Sequence, residues 1–558
     1  VTRRHPRRTL PAACLGLALG LSTPGALAQL VLFEYEGSTA GDQFGWSIAS
    51  AGDVDDDGFD DVVVGAKADG QNGPSSGTVW VLSGKGGTIL HEIVGSGPGV
   101  RLGYAVSGVG DADGDGHDDF AAGAPRENGA LGQAFVYSGA TGEVIFSRTG
   151  GGGGDGFGTA LDGRWDLDGD GARDLIVGAD QELAGLVGYV EAYSIVNDAT
   201  IMTVPGAPIA GAGPGDRFGE AVVGIPDVSG DGLPDVLIGA PGFDAGAADT
   251  GAAFLARGAT GLLFGTRFGS QPGEQYGFAV AGLDDVSGDG ETELVVGAPF
   301  HAAALGGTAG RVETVSGGAA TPVPWLTWEG QPGDQLGRRL ARAGDWDGDL
   351  VGDLVAASPT ESSLVPNGGA ARVLSGADGE TLHAQLGASP DDLLGQAVAG
   401  ELDLSGDGAV DLLVGANIDP AVRGRPGYAL AVSSFDPWTD LGEALAGAGG
   451  TPRLEAGNTL VPGTPLVVAL EQAAPAAPLV LAAGFETLFV PFKGGTMVPA
   501  PALLLDGLAT DAGGAAALET VWPDGVPAGT TLVLQAWIVD PTGPAGFTAS
   551  NGVAGVTP

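Results

Sequence analysis

Positive charge is scarce in this chain. Its 23 lysines and arginines face 69 aspartates and glutamates, a formal net charge of -46 over 558 residues. That balance repels nucleic acid and anionic membrane surfaces, so neither is expected as a partner. Cysteine is nearly absent: Cys14 is the single copy. It lies in an N-terminal stretch expected to be removed, and the preceding Pro11-Ala12-Ala13 does not favour lipidation. The mature chain is therefore expected to use neither disulfides nor thiol chemistry. Histidine is thin as well. His91, His117, His301 and His383 do not cluster at metal-ligand spacing. Neither a Gly-x-Ser-x-Gly elbow nor a phosphate-binding loop occurs. No catalytic set stands out, so the chain is not expected to be an enzyme. The catalytic reading left open is a polysaccharide hydrolase or lyase built from scattered residues.

Long apolar runs are confined to the start. Arg3, Arg4, Arg7 and Arg8 precede a mostly apolar stretch from Leu10 to Leu21, and Ala26-Leu27-Ala28 fits a small-residue cleavage site before Gln29. Residues 1–28 read as a secretory signal. A retained membrane anchor is the alternative, but the stretch is short for a full span. The mature chain, expected to begin near Gln29, offers no transmembrane segment. The expected location is secreted, periplasmic or cell-surface, in a bacterium.

What the chain has in abundance is glycine, 104 residues, and aspartate in a fixed pattern. A nine-residue loop is written seven times. Its cleanest copy carries Asp111, Asp113, Asp115, Gly116 and Asp119 at positions one, three, five, six and nine. The first copy has Asp53, Asp55, Asp57, Gly58 and Asp61; the third has Asp166, Asp168, Asp170, Gly171 and Asp174. The fourth has Asp227, Ser229, Asp231, Gly232 and Asp235; the fifth has Asp285, Ser287, Asp289, Gly290 and Glu293. The sixth has Asp345, Asp347, Asp349 and Asp353, with Leu350 where glycine is expected. The seventh has Asp403, Ser405, Asp407, Gly408 and Asp411. First positions recur at intervals of 58, 55, 61, 58, 60 and 58 residues. A fixed period of this size marks a repeat architecture.

The alternation aims three short oxygen-bearing side chains at one point, and the ninth residue closes the shell. The backbone carbonyl at position seven can add a ligand. Hard oxygen donors in a flexible loop suit calcium better than zinc or magnesium. Serine at position three still offers a neutral oxygen. Up to seven calcium sites are expected, with the sixth loop the first to drop because Leu350 disfavours the turn. The competing reading is a folded scaffold with vestigial loops.

Each acidic loop is followed by a short apolar run, such as Val62-Val63-Val64-Gly65-Ala66, that reads as a strand buried on both faces. Before each loop, an apolar or aromatic residue stands beside glycine, as in Phe44-Gly45 and Phe218-Gly219. A third and a fourth strand follow, as at Gly77–Leu82 and Thr88–Ile93. Four strands per repeat, seven times, predict a seven-bladed β-propeller over 29–436. The seventh repeat lacks a clear fourth strand, and Leu30–Glu36 resembles the missing one. The N-terminal strand is expected to close the last blade and remove an open edge. An open solenoid is the alternative. From residue 437 the acidic loops stop. Residues 437–558 alternate apolar runs with Pro and Gly and read as a separate all-β domain, a small sandwich, rather than an unstructured tail.

These residues resemble the FG-GAP repeats of integrin alpha chains and their bacterial relatives. Phe-Gly is literal at Phe44-Gly45, Phe157-Gly158 and Phe218-Gly219, and Gly-Ala-Pro at 123–125, 239–241 and 297–299. The resemblance covers about residues 30–435. It implies one seven-bladed propeller with calcium in the hairpin loops between first and second strands, and adhesion or protein recognition through the opposite face. The loops of unequal sequence after the second strands, Lys67–Gly77, Pro241–Gly251, Pro299–Gly310, Pro359–Gly369 and Asn417–Gly427, would lie on that face. The expected function is a calcium-binding recognition or adhesion scaffold for a protein or glycan. A structural envelope or matrix protein is the alternative.

Overall fold

A computed structural model describes residues 7–9 and 30–556, apart from 86, 182–184, 208, 304–305, 318–323, 406–408, 417–425, 435–437, 443, 447–450, 458–464, 486, 494, 512–513, 522–525 and 527–529. The expected leader with Cys14 and the cleavage site at 26–28 lie outside the described residues, as do most of the loop 417–427 and Asp407 and Gly408. Within the leader, Arg7–Thr9 is described as a strand that pairs with Leu30–Glu36.

The chain forms two compact units. One rests on Phe33–Leu404 and Val410–Val432, the other mainly on Ser433–Pro558. The first holds seven antiparallel sheets, six of them four-stranded and made of consecutive strands. The first sheet runs Ser47–Gly52, Asp61–Ala66, Thr78–Leu82, Ile89–Val94. The seventh runs Leu394–Leu402, Asp411–Ala416, Tyr428–Ser433 and then Leu30–Glu36. Gly37 N–H donates to the Gly427 carbonyl at 2.9 Å, extending this pairing of the two chain segments.

All seven second strands are buried along their whole length. Their alternate faces meet neighbouring sheets, so the core is a series of layers between blades. Val63, Val79 and Val81 of the first sheet pack with Phe120 and Ala122 of the second, and Val177 of the third packs with Val136 of the second. Each such buried valine contributes about 1.5–3 kcal/mol relative to exposure. The sheets approach through glycine. A Cβ at Gly65 would stand 2.2 Å from the carbonyl oxygen of Gly103 in the next blade, and one at Gly415 would stand 2.3 Å from that of Gly45. The seventh blade therefore meets the first as the first meets the second, and the ring of sheets is closed.

The seven first strands line a central channel of about 660 Å³, through Ile48, Val106, Leu161, Val222, Val280, Leu340 and Val398. Each first strand runs from the Phe-Gly-type element at one mouth to an acidic loop at the other. The residues after the seven Phe-Gly-type glycines, from Trp46 and Tyr104 to Phe278, Arg338 and Gln396, open these strands at the first mouth.

The second unit is also all β. One sheet contains Trp438–Gly442, Gly552–Val556, Thr531–Val539, Pro478–Gly484 and Leu503–Ala509; another contains Arg453–Gly457, Pro465–Glu471 and Ala516–Val521. Leu454, Leu466, Val468 and Leu470 of the smaller sheet share one core with Leu479, Leu481, Leu534 and Ile538 of the larger. That is sandwich packing.

Candidate metal centres

The second loop shows the local construction. Asp111 Oδ1 accepts from the N–H of Gly114 at 2.7 Å and of Asp115 at 3.0 Å, and its Oδ2 accepts from Gly116 at 2.9 Å. Asp113 Oδ1 accepts from Asp115 N–H at 3.1 Å, and Asp115 Oδ1 from His117 N–H at 3.0 Å. Each carboxylate is thus held by loop backbone and keeps lone pairs for a ligand. The bonds require left-handed backbone at positions four and six, where Gly114 has φ 79° and Gly116 φ 94°. The third, fourth and fifth loops repeat this pattern. Loop one puts Asp56 at position four with φ 57°, a conformation aspartate tolerates. Loop six puts Leu350 at position six with φ 70°, and its N–H still reaches Asp345 Oδ2 at 3.0 Å. The turn expected to fail there closes. Its cost is torsional, because the leucine side chain is 91% exposed.

The carboxylates converge in two ways. In loops one and two, oxygens of Asp53, Asp55 and Asp57, and of Asp111, Asp113 and Asp115, lie within 4.8 Å of one another. In loops three, four and five the converging sets include position nine: Asp166, Asp168 and Asp174; Asp227, Asp231 and Asp235; Asp285, Asp289 and Glu293. The difference tracks whether a backbone N–H after the third strand reaches the ninth carboxylate; in the fifth blade Gly317 N–H donates to the Thr292 carbonyl instead. Asp61 accepts from Val54 N–H at 2.8 Å through Oδ2 and from Gly84 N–H at 2.9 Å through Oδ1. Asp119 and Asp353 are bridged the same way, to Gly139 and Gly376. Asp174, Asp235 and Glu293 take their backbone bonds through one oxygen, one bond at Asp174 and two each at Asp235 and Glu293, and their second oxygen is buried with no hydrogen-bond partner. Asp170 of loop three turns aside to accept from Asn197 Nδ2 at 2.6 Å. Of loop seven, Asp403, Ser405 and Asp411 are described.

Burial pushes the ninth carboxyls up, to about 7 for Asp61 and Asp174 and to about 6 for Asp119, Asp235 and Asp353, with neighbouring loop aspartates adding to the effect. Glu293 is raised for the same first reason. The donor set fits calcium. All side-chain donors are oxygens, and Asp55 Oδ1, Asp174 Oδ1, Asp235 Oδ1, Ser287 Oγ and Glu293 Oε1 are buried without a protein partner. His117 is not part of the set: its Nδ1 lies 2.8 Å from the Val54 carbonyl of the preceding blade.

Position eight went unremarked in the sequence, yet it sutures loops together. Asp118 Oδ2 accepts from Asp53 N–H at 3.1 Å, and Asp60 Oδ2 accepts from Asp403 N–H at 2.8 Å, joining the first blade to the seventh. The available signal was the doubled aspartate at Asp60-Asp61 and Asp118-Asp119, found only in the first two loops.

Fold and loops define a repeat propeller with candidate cation-binding hairpins. The FG-GAP repeat family matches residues 44–82, 102–137 and 218–255. Integrin alpha-5 of Xenopus laevis is 30% identical over 210 residues, covering 35% of this chain and 20% of that protein. Integrin alpha-V of Gallus gallus is 31% identical over 209 residues with the same coverage, and integrin alpha-PS2 of Drosophila melanogaster is 34% identical over 178 residues, covering 26% and 12%. A solved structure described as "Structure of Dos1 propeller" aligns with TM-score 0.39 at 11% identity over 67% of this chain and 74% of that one, too low a score to argue from. Over these residues the chain is similar to FG-GAP repeats and to integrin alpha chains. Its matches span about a fifth of the integrin alpha-5 and alpha-V lengths. These relatives are animal proteins and lend no support to a bacterial source. Among the described residues, no helix is long and apolar enough to cross a membrane.

Proposed function

We propose that this protein is a secreted or cell-surface, calcium-stabilised recognition scaffold that binds a protein or glycan through the propeller face opposite the acidic loops. The observation that carries the reading is the set of preorganised acidic loops on a propeller related to integrin alpha chains. The same likeness to repeat and integrin alpha chains supports a non-enzymatic role. Positions one, three, five and nine of each loop, with the carbonyl of position seven, are the proposed ligands. Calcium neutralises carboxylates that repel one another and locks the hairpin between first and second strands. Residues 1–28 are the proposed leader, 29–436 the propeller and 437–558 a separate domain. Metal analysis of purified protein, paired with binding to protein and glycan arrays with and without calcium, tests the reading. Several bound calcium ions and calcium-dependent attachment are expected; no bound calcium would overturn it.

A structural matrix role is favoured by one feature of the second unit. All six residues of the strand Thr487–Phe492 are exposed, apolar ones included, as a surface awaiting cover would be. Self-association of the protein that depends on Phe489 and Phe492 would support that reading.

A further inference from the structure

The mouth of the channel opposite the acidic loops gathers cations in a chain that has few. Lys67 follows a second strand, Arg101 and Arg217 precede the Phe-Gly-type pairs, Arg126 follows a Gly-Ala-Pro element, and Arg338 and Arg339 open a first strand. Ring closure brings these four blades together at one end. Lys67 Nζ sits 2.7 Å from the Trp46 ring centroid and 4.7 Å from that of Tyr104, whose rings are 5.7 Å apart. Across the mouth, the guanidinium groups of Arg217, Arg338 and Arg339 lie 5.9, 5.1 and 5.9 Å from the Phe278 ring.

Elsewhere arginines find acids: Arg148 pairs with Asp198 at 2.6 Å, Arg257 with Asp231 at 2.9 Å, Arg342 with Glu401 at 2.7 Å, and Arg372 with Glu361. At the mouth only Arg217 has a carboxylate within 4.0 Å among the described residues, Glu220 at 3.9 Å. Arg338 donates to the neutral Gln335 Oε1 at 3.2 Å, and Arg339 to the Arg338 carbonyl at 2.9 Å. Among the described residues Lys67, Arg101 and Arg126 have no such partner. The acids whose charge reaches the cluster are Glu220 and, at Tyr104, Asp180. Burial, with Arg101, Arg339 and Arg126 close by, pulls the Lys67 ammonium down to about 6, and burial with Arg339 beside it lowers Arg338 to about 10. Holding like charges this close without acids disfavours the folded state, although 69 acids are available to the chain.

We propose that this mouth is a carboxylate-recognition site that takes an acidic side chain presented by a segment of a partner protein. The guanidinium forks of Arg338 and Arg339 grip the carboxylate, Lys67 lends an N–H donor, and the aromatic rings keep water from the contact. The inference rests on the reading of this face as the recognition face. Charge selects the occupant. Within a Debye length of about 8 Å at physiological salt the five guanidinium groups dominate. Beyond it the net charge of -46 repels any polyanion, so an acidic polysaccharide is opposed along its length while one or two carboxylates on a neutral segment are not.

The test uses the full calcium-loaded chain and fluorescence anisotropy of a labelled neutral hexapeptide carrying two adjacent glutamates, its glutamine counterpart, and unlabelled tri-galacturonate as competitor. The glutamate peptide should bind at least about tenfold more tightly than the glutamine peptide, and Arg338→Gln with Arg339→Gln should remove that difference. Glu220→Gln should tighten binding several-fold, a gain that a misfolded variant cannot imitate. Lys67→Met should weaken binding while leaving the melting temperature unchanged or raised, since a purely structural cluster would lose stability. Equal binding of the two peptides, or tri-galacturonate outcompeting the glutamate peptide, overturns the proposal. Array attachment that survives the double arginine variant also overturns it and leaves recognition through the surrounding loops standing. Failure of the unmodified protein to attach to any array while the peptide difference holds counts against the broader reading alone.

Discussion

The two ends of the propeller both hold unmatched charge, and they hold it differently. At the loop end, repelling carboxylates are spread over repeated hairpins, and loop N–H groups already accept part of the burden. Inside that end of the channel, Arg342 joins Asp284 and Glu401, and Arg164 joins Asp162 and Glu401, so the channel wall is internally satisfied. At the other mouth six basic side chains from four blades meet with one acid in contact among the described residues. The contrast teaches that a preorganised, repeated cluster fits a structural ion, while a single cluster assembled from non-equivalent positions fits a partner. Backbone compensation is the discriminator: the loops have it repeatedly, the mouth only where Arg339 reaches the Arg338 carbonyl.

Chelation should break the comparison most severely. A site held at a hundred times its dissociation constant adds about 2.7 kcal/mol, so several sites emptied together should lower the melting temperature by about 10 °C or more. Calorimetry with and without a calcium chelator measures it. One molar salt should weaken peptide capture at the mouth far more than it weakens calcium retention.

The two classes of ninth carboxylate sharpen the loop half of the contrast. Asp61→Asn leaves one acceptor for two buried N–H groups, and should destabilise the metal-free protein by about 1–3 kcal/mol in urea unfolding. Asp174→Asn alters an oxygen with no protein partner, so it should remove about one calcium per chain in a metal count and change metal-free stability less.

Proton competition gives a smaller effect with a definite sign. Asp61 and Asp174 are raised to about 7, and Asp119, Asp235 and Asp353 to about 6, from an ordinary value of 3.8. Between those values the metal-free folded state binds more protons than the unfolded chain. Its stability from these groups is full below about pH 4 and is lost as pH rises through 6 and 7. Chelated protein should therefore melt higher at pH 5 than at pH 8, and calcium should reverse the order, because ions and protons compete for the same oxygens.

The smallest change concerns a single torsion. Leu350→Gly relieves a left-handed leucine whose side chain packs on nothing, and should raise stability by about 1 kcal/mol in the calcium-loaded protein. A loss would mean that the exposed leucine makes a contact in solution.

Much of this molecule is legible in one dimension. The recurring acidic nine-mers and the apolar runs behind them announce antiparallel sheets, and second strands such as Asp61–Ala66 are buried end to end as continuous apolarity implies. Repetition made that possible, since each repeat states the same local physics again. The loop chemistry was readable to the level of residue type. Which carboxylates converge was not, because that depends on whether a backbone N–H after the third strand reaches position nine, as Gly84 does for Asp61 and Gly317 does not for Glu293. Leu350 looked like a broken turn by propensity alone, and surrounding bonds outweighed a torsional cost of about 1–2 kcal/mol.

The amino-acid sequence by itself determined the all-β repeat class, the oxygen-donor character of the loops and the great excess of negative charge. Tertiary structure alone decided where the few cations meet. Of Lys67, Arg101, Arg126, Arg217, Arg338 and Arg339 only Arg101 and Arg217 share a repeat position, and only closure of the ring, through contacts such as Gly415 on Gly45, brings all six to one mouth. Periodic features are written locally and can be read locally; a cluster drawn from several blades exists only after the chain has returned to its start.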